Sequence, residues 1–163
     1  MKKWNYITQK EIISEICELY KTYSRNESID KCNKNTKGID EKDIVIDSIS
    51  DIEYARKIQK ILSPLDFVRE SAIKQWITKS KTIHIHGIFY RGDLVGVMVY
   101  REKPSYLQIR YISIDKGFRG KGLGTYFLLF LEDKCKELQK KKIYAEVPKT
   151  HKDMLRFFYK KWI

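Results

Sequence analysis

The feature that most restricts the fold of this chain is a change of period near residue 82. From there on, apolar residues alternate along three runs, "TIHIHGIFY" (82–90), "LVGVMVYR" (94–101) and "YLQIRYISI" (106–114). A period of two marks a strand with one face turned to a core. The runs are separated only by Arg91-Gly92-Asp93 and by "EKPS". A parallel neighbour needs a crossover of about a dozen residues or more, so these strands form an antiparallel meander.

Elements of helical period flank the meander. "DIVIDSI" (43–49) reads as a short strand. Ser50-x-x-Glu53 is a capping box, and Ile52, Ala55, Ile58, Ile61 and Leu62 follow on one helical face. Ser63-Pro64 ends that helix and starts another, because proline fits a first helical position. Phe67, Ile73, Trp76 and Ile77 form the buried face of this second helix. After the meander the pattern predicts a helix over 124–140, a strand "KIYAEV" (142–147), and a last helix capped by Thr150-x-x-Asp153. At the N-terminus, Thr8-x-x-Glu11 precedes Ile12, Ile13, Ile16, Cys17, Leu19, Tyr20 and Tyr23, which predicts an amphipathic helix over 9–23. Residues 24–42 are polar and aperiodic. The chain divides into an N-terminal helical extension and linker, 1–42, and a domain, 43–163.

The whole, 163 residues, is one domain's length. No run approaches the ~18 apolar residues of a membrane span, and "MKKWNYITQKEI" has no apolar stretch after its lysines, unlike a signal peptide. Cys17, Cys32 and Cys135 are odd in number and widely spaced, which fits reduced thiols and a cytoplasmic location. The net charge is +12, from 33 cations and 21 anions. It suits polyanionic partners or reflects a lysine-rich solvated surface. Residues 134–163 carry nine Lys and one Arg against Glu137, Glu146 and Asp153.

The densest chemistry follows the meander. "DKGFRGKGLG" (115–124) holds four glycines and three cations and opens onto an apolar helix. Such a loop suits an anion. A nucleoside triphosphate loop needs a hydroxyl after its lysine, but Gly122 follows Lys121. A dinucleotide loop is suggested by Gly120-x-Gly122-x-Gly124 and by Glu146 ending the next strand, yet the glycine spacing differs and the preceding strand belongs to a hairpin meander. The remaining anion reading is Arg119-x-x-Gly122-x-Gly124 as a pyrophosphate clamp. Glycines admit the phosphates, the first helical N–H groups point at them, and the helix dipole favours their charge. A glycine-rich cap on a buried helix is the bland alternative.

"YLQIRYISIDKGFRGKGLG" resembles the acyl-CoA-binding motif of the GNAT N-acetyltransferases, and the element order from residue 43 agrees with that family. The resemblance implies an α/β (α+β) fold: a mixed, mostly antiparallel sheet with flanking helices. It implies acetyl-CoA as co-substrate. The backbone of Ile112, Ser113 and Ile114 would hold the pantetheine arm. The N–H groups of Arg119, Gly120, Lys121, Gly122, Leu123, Gly124 and Thr125 would hold the pyrophosphate. The strand before the loop and the next would splay apart around the thioester. Tyr159 matches the family's tyrosine acid, and Glu146 matches the glutamate that some members use as base. Another position used for that base holds Gln108. The family's asparagine in the last helix is absent, with His151 or Lys152 near its place. His84 and His86 share one strand face and read as surface or core filling rather than as a metal site.

The implied acceptor is an amine on a small molecule, a protein or an aminoacyl-tRNA, bound by residues 50–80. The implied rival is a non-catalytic CoA- or RNA-binding module. The family's two C-terminal strands are missing, so the sheet is expected to lack them and to leave "KIYAEV" as an open edge. Residues 1–42 could cover that edge, or a second copy could, giving a homodimer; failing either, the chain would be a truncated enzyme of weakened activity.

Overall fold

A computed structural model describes the backbone of residues 4–8, 16–22 and 38–162 and the side chains of 38–160. In chain order the elements are β1 (Trp4–Thr8), β2 (Ile16–Thr22), β3 (Ile44–Ser48), α1 (Ala55–Leu62), α2 (Glu70–Thr78), β4 (Ile83–Tyr90), β5 (Asp93–Glu102), β6 (Tyr106–Ile114), α3 (Leu123–Glu137), β7 (Lys142–Pro148) and α4 (Lys152–Trp162). The strands form one sheet in the order β1-β2-β7-β6-β5-β4-β3. Only β6 and β7 pair in parallel; every other neighbour is antiparallel.

The β4–β5–β6 meander forms as its period demands. Arg91 and Gly92, with φ of 50° and 84°, make the tight turn between β4 and β5. Positive φ at both central residues matches the right-handed twist of the flanking strands. Alternation then sorts side chains to two cores. Met98, Tyr100, Ile109 and Ile112 pack under α3 and α4 with Phe127, Leu131 and Phe158. Val97 and Val99 pack on the opposite face with Ile58, Leu62 and Ile73 of α1 and α2.

The sheet departs from expectation at its N-terminal end. The stripe predicted as a helix over 9–23 lies partly in β2, a strand; residues 9–15 and the linker residues 24–37 fall outside the described residues. β1 and β2 form an antiparallel hairpin, and β2 pairs with all of β7, from Ile16 opposite Pro148 to Thr22 opposite Lys142. The helical spacing was a weak local preference. An unpaired edge on β7 offers a full ladder of backbone hydrogen bonds, and that longer-range gain overrides it. The edge expected to be open is therefore closed by the chain's own N-terminal segment, so the ground for expecting a second copy at β7 is removed.

A second departure concerns residues 63–69. α1 ends at Leu62 and α2 begins only at Glu70, so Pro64 does not start a helix. The amides of Leu65 and Asp66 both donate to the Leu62 carbonyl, at 2.9 and 3.1 Å, and an irregular stretch then leads to Arg69, the extended residue before α2. Gln59 Nε2 fastens this connection by donating to the Val68 carbonyl at 2.9 Å. Ahead of α1, Asp51 rather than Ser50 caps a 3-10 turn over Ile52–Tyr54: its carboxylate accepts from the Glu53 amide at 2.9 Å, and α1 itself has no side-chain cap.

Candidate active site

The site is built where two parallel strands part. β6 and β7 are paired only from Tyr106 opposite Lys142 to Ile109 opposite Ala145. The cause lies on the other side of β6. Its register with β5 steps from Val99–Tyr111 to Tyr100–Ile109, leaving Arg110 as an extra residue. Such a bulge bends and twists its strand, and here it turns the end of β6 away from β7. The gap is a cavity of about 400 Å³, walled by Ile109–Ile112, by Ala145–Pro148, by Leu65 and Asp66, by His151, and by Met154 and Phe158 of α4. Beyond Ile109 the outer backbone groups of β6 have lost their strand partner. Ile112 is one of these residues; Ser113 and Ile114 continue the same edge toward the glycine loop. The Ser113 hydroxyl is used elsewhere, donating to the Ile61 carbonyl at 2.5 Å across to α1.

The glycine loop follows the end of β6. The Asp115 amide donates to the Val95 carbonyl at 2.8 Å, and a 3-10 turn follows over Lys116–Phe118. Gly120 and Gly122 then take φ of 73° and 80°, a region costly to any residue with a Cβ. Gly122 is the N-cap of α3, and no side chain caps that helix. The positive end of a fifteen-residue helix is thus left for a ligand. Arg119 Nε donates to the Ile114 carbonyl at 2.8 Å, which fastens the loop to β6 while the guanidinium stays exposed. Lys121 Nζ lies 5.6 Å from the centre of the Phe118 ring. The uncapped helix start, two positive-φ glycines and two cations fit a pyrophosphate. Gly124 has a further role: a Cβ there would come within 2.9 Å of the Phe157 ring, so its bareness lets α4 pack on α3. The Thr125 amide turns back to the Gly122 carbonyl at 3.2 Å, and its side chain is buried.

The two residues expected to handle protons are placed differently. Glu146 stands on the cavity wall at the point where β7 leaves β6, and its carboxylate accepts a hydrogen bond from the Tyr144 hydroxyl. Tyr159 is half-buried on α4; among the described residues of that helix, His151 (just before its start), Met154 and Phe158 line the cavity and Tyr159 does not. Gln108 pairs opposite Tyr144, before the strands separate. His84 and His86 do share a face, both stacked on Tyr100 at 5.1 and 5.5 Å. His84 Nε2 lies 3.4 Å from Glu102. His86 also packs on Phe130, and burial, with smaller contributions from His84 and Lys134, pushes its pKa down to about 4.

Sequence reasoning missed Asp66 and Tyr111. The Tyr111 hydroxyl donates to Asp66 Oδ2 at 2.8 Å, and its ring stacks on Trp76 at 6.3 Å. Burial, then the bond to Asp66, raises the Tyr111 pKa. A signal was present. Counting back from Ile73 by three, four and seven residues gives Glu70, Arg69 and Asp66, all polar. The apolar stripe of α2 therefore stops at Ile73, and Phe67 is out of phase with it; it is 76% exposed.

Comparison with known proteins agrees with this geometry. A probable spermine N(1)-acetyltransferase of Bacillus subtilis subsp. natto is 33% identical over 81 residues, which is 44% of this chain and 53% of that protein. The chain thus spans about half the length of that curated relative. Among solved structures, a ribosomal-protein-alanine N-acetyltransferase from Brucella melitensis biovar Abortus 2308 superposes with a TM-score of 0.63 at 18% identity, over 72% of this chain and 89% of that one. A GNAT family acetyltransferase from Elizabethkingia anophelis with acetyl-CoA bound gives 0.60 at 19% identity, over 73% and 74%. These structures share the fold. The description of the acetyltransferase (GNAT) family matches residues 48–162, from the end of β3 to the end of α4, and the chain belongs to that family.

Proposed function

We propose that the chain transfers an acetyl group from acetyl-CoA to a primary amine by direct attack. The observation that carries this reading is the parting of β6 from β7 after Ile109 and Ala145 into a cavity, together with the uncapped start of α3 that follows β6 in the chain. One feature serves a linear arm, with free backbone on β6; the other serves a diphosphate. The backbone of Ile112, Ser113 and Ile114 would hold the arm, and the N–H groups from Arg119 to Gly124 would hold the diphosphate, with Arg119 and Lys121 adding charge; the Thr125 N–H, bonded to the Gly122 carbonyl, is left out of that set.

Acetyl-CoA supplies the acetyl group as a thioester. An alkylamine with a pKa of about 10.4 is mostly protonated at neutral pH, so it must lose a proton to attack. Glu146, at the mouth of the gap, is placed to accept that proton, and the Tyr144 hydroxyl orients its carboxylate. The bond from nitrogen to the acetyl carbon forms, the carbon–sulfur bond breaks, and the thiolate takes a proton. Tyr159, on the helix whose Met154 and Phe158 border the cavity, is the group we assign to that donation, directly or through one water. Thiol release from acetyl-CoA with a panel of amines tests the reading. Amine-dependent release is the expected result.

The rival is a module that binds CoA or RNA without turnover. It is favoured by exposed Lys149, Lys152 and Arg156, in and next to the segment 150–158 that walls the cavity. Salt-dependent RNA binding with no thiol release would replace the first reading.

A further inference from the structure

The acceptor side of the cavity holds a carboxylate that the transfer chemistry does not use. Asp66 lies on the wall supplied by the α1–α2 connection, across from β7 and Glu146. It is held from three directions. Its amide donates to the Leu62 carbonyl at 3.1 Å, the following residues are fastened through Gln59 and Val68, and Tyr111 donates to Oδ2 at 2.8 Å. Tyr111 is itself clamped by its stack on Trp76. Arg110 lies on the same wall and reaches the Tyr111 hydroxyl. Among the described residues, no Lys or Arg forms an ion pair with Asp66.

A fixed carboxylate facing a cavity is ready for a cation that arrives from outside. The next residue, Phe67, is 76% exposed, and Leu65 lines the cavity. A carboxylate flanked by apolar side chains matches one chemistry: methylene groups ending in an ammonium.

We infer that Asp66, positioned by Tyr111, binds a second ammonium group of the acceptor, so that the substrate is an aliphatic amine carrying another positive charge a few methylenes from the reacting nitrogen. This rests on the acetyltransferase reading above. Glu146 deals with the proton of the reacting amine, and Asp66 sets how far the rest of the molecule reaches. The second charge can belong to a free diamine or to a lysine beside a peptide N-terminus.

The test compares hexylamine with 1,6-diaminohexane, and a short peptide lacking lysine with the same peptide carrying one, by thiol release from acetyl-CoA. The wild type is expected to prefer the doubly charged member of at least one pair by about tenfold in kcat/KM, with the preferred pair identifying the source. In Asp66→Asn the preference disappears through KM, while kcat and the KM for acetyl-CoA hold. Asp66→Glu, which keeps the charge, retains part of it. Tyr111→Phe is expected to lose a smaller share, with the melting temperature checked for both. Equal kcat/KM within both pairs in the wild type, or an equal fall for both members in Asp66→Asn, overturns the inference alone. Thiol release with no amine at all overturns the acetyltransferase reading and the inference with it.

Discussion

The glycine loop and the Asp66 wall of the cavity are encoded differently. The glycine loop at 115–124 is local: ten consecutive residues contain the positive-φ turns, the cations and the start of α3. The acceptor wall is assembled from a distance. Asp66 and Tyr111 are 45 residues apart in sequence and meet only because the α1–α2 connection folds over the end of β6. A site made of backbone groups tolerates little change, since the conformation itself is the ligand-binding element. A site made of side chains on a connection tunes one substrate against another.

The largest effect is expected from breaking the glycine loop. Gly122→Val places a branched side chain at φ 80°, a conformation costing at least ~1–2 kcal/mol, and it crowds the helix start. Titration calorimetry should show acetyl-CoA affinity falling by roughly 100-fold, from strain plus lost contacts with the N–H groups. Next come the two residues proposed to move protons. Glu146→Gln and Tyr159→Phe should each lower kcat by about 100-fold, the low end for general acid–base groups, with acetyl-CoA affinity unchanged. Unaltered turnover in Tyr159→Phe would assign the acid to a residue on the cavity wall instead.

How much of this was legible follows the same division. The meander, the glycine loop and the β7–α4 pair were read from period and spacing, because neighbours in sequence carry those signals. The parting of β6 and β7 was expected only through resemblance to a family; the bulge at Arg110 that causes it has no local signature. β2 was misread because a stripe at helical spacing in residues 12–23 says nothing about an edge strand more than a hundred residues away that needs pairing. Phe67 was misread because one apolar residue after a proline looks like the start of a stripe. Gly124 was read as part of the clamp; its close approach to Phe157 on α4 is a further role that sequence spacing cannot reveal.

That last point gives a sharper test of the comparison. Gly124→Ala should act on stability rather than on the loop's conformation. The added methyl meets a rigid ring at 2.9 Å, and overpacking of this kind costs typically ~1–3 kcal/mol. Urea unfolding measures it, and the loss should be relieved by Phe157→Leu.

A smaller effect lies outside both regions and serves as their control. The His86 pKa is lowered to about 4 by burial beside Tyr100 and Phe130. The unfolded chain binds this proton near pH 6.5 and the folded one does not, so the contribution is fully present above pH 6.5. It is lost as pH falls toward 4 and amounts to ~3 kcal/mol at most. His86→Phe should flatten the dependence of melting temperature on pH between 6.5 and 4, and should leave acetyl-CoA affinity unchanged.

The central claim is that acetyl-CoA lies along the free edge of β6 with its pyrophosphate on the loop before α3. Amide hydrogen exchange with and without acetyl-CoA tests it directly. The account predicts slowed exchange at Ile112–Ile114 and at Arg119–Gly124, with β3 and β4 unaffected. Binding of acetyl-CoA with no added protection in those two segments would contradict it.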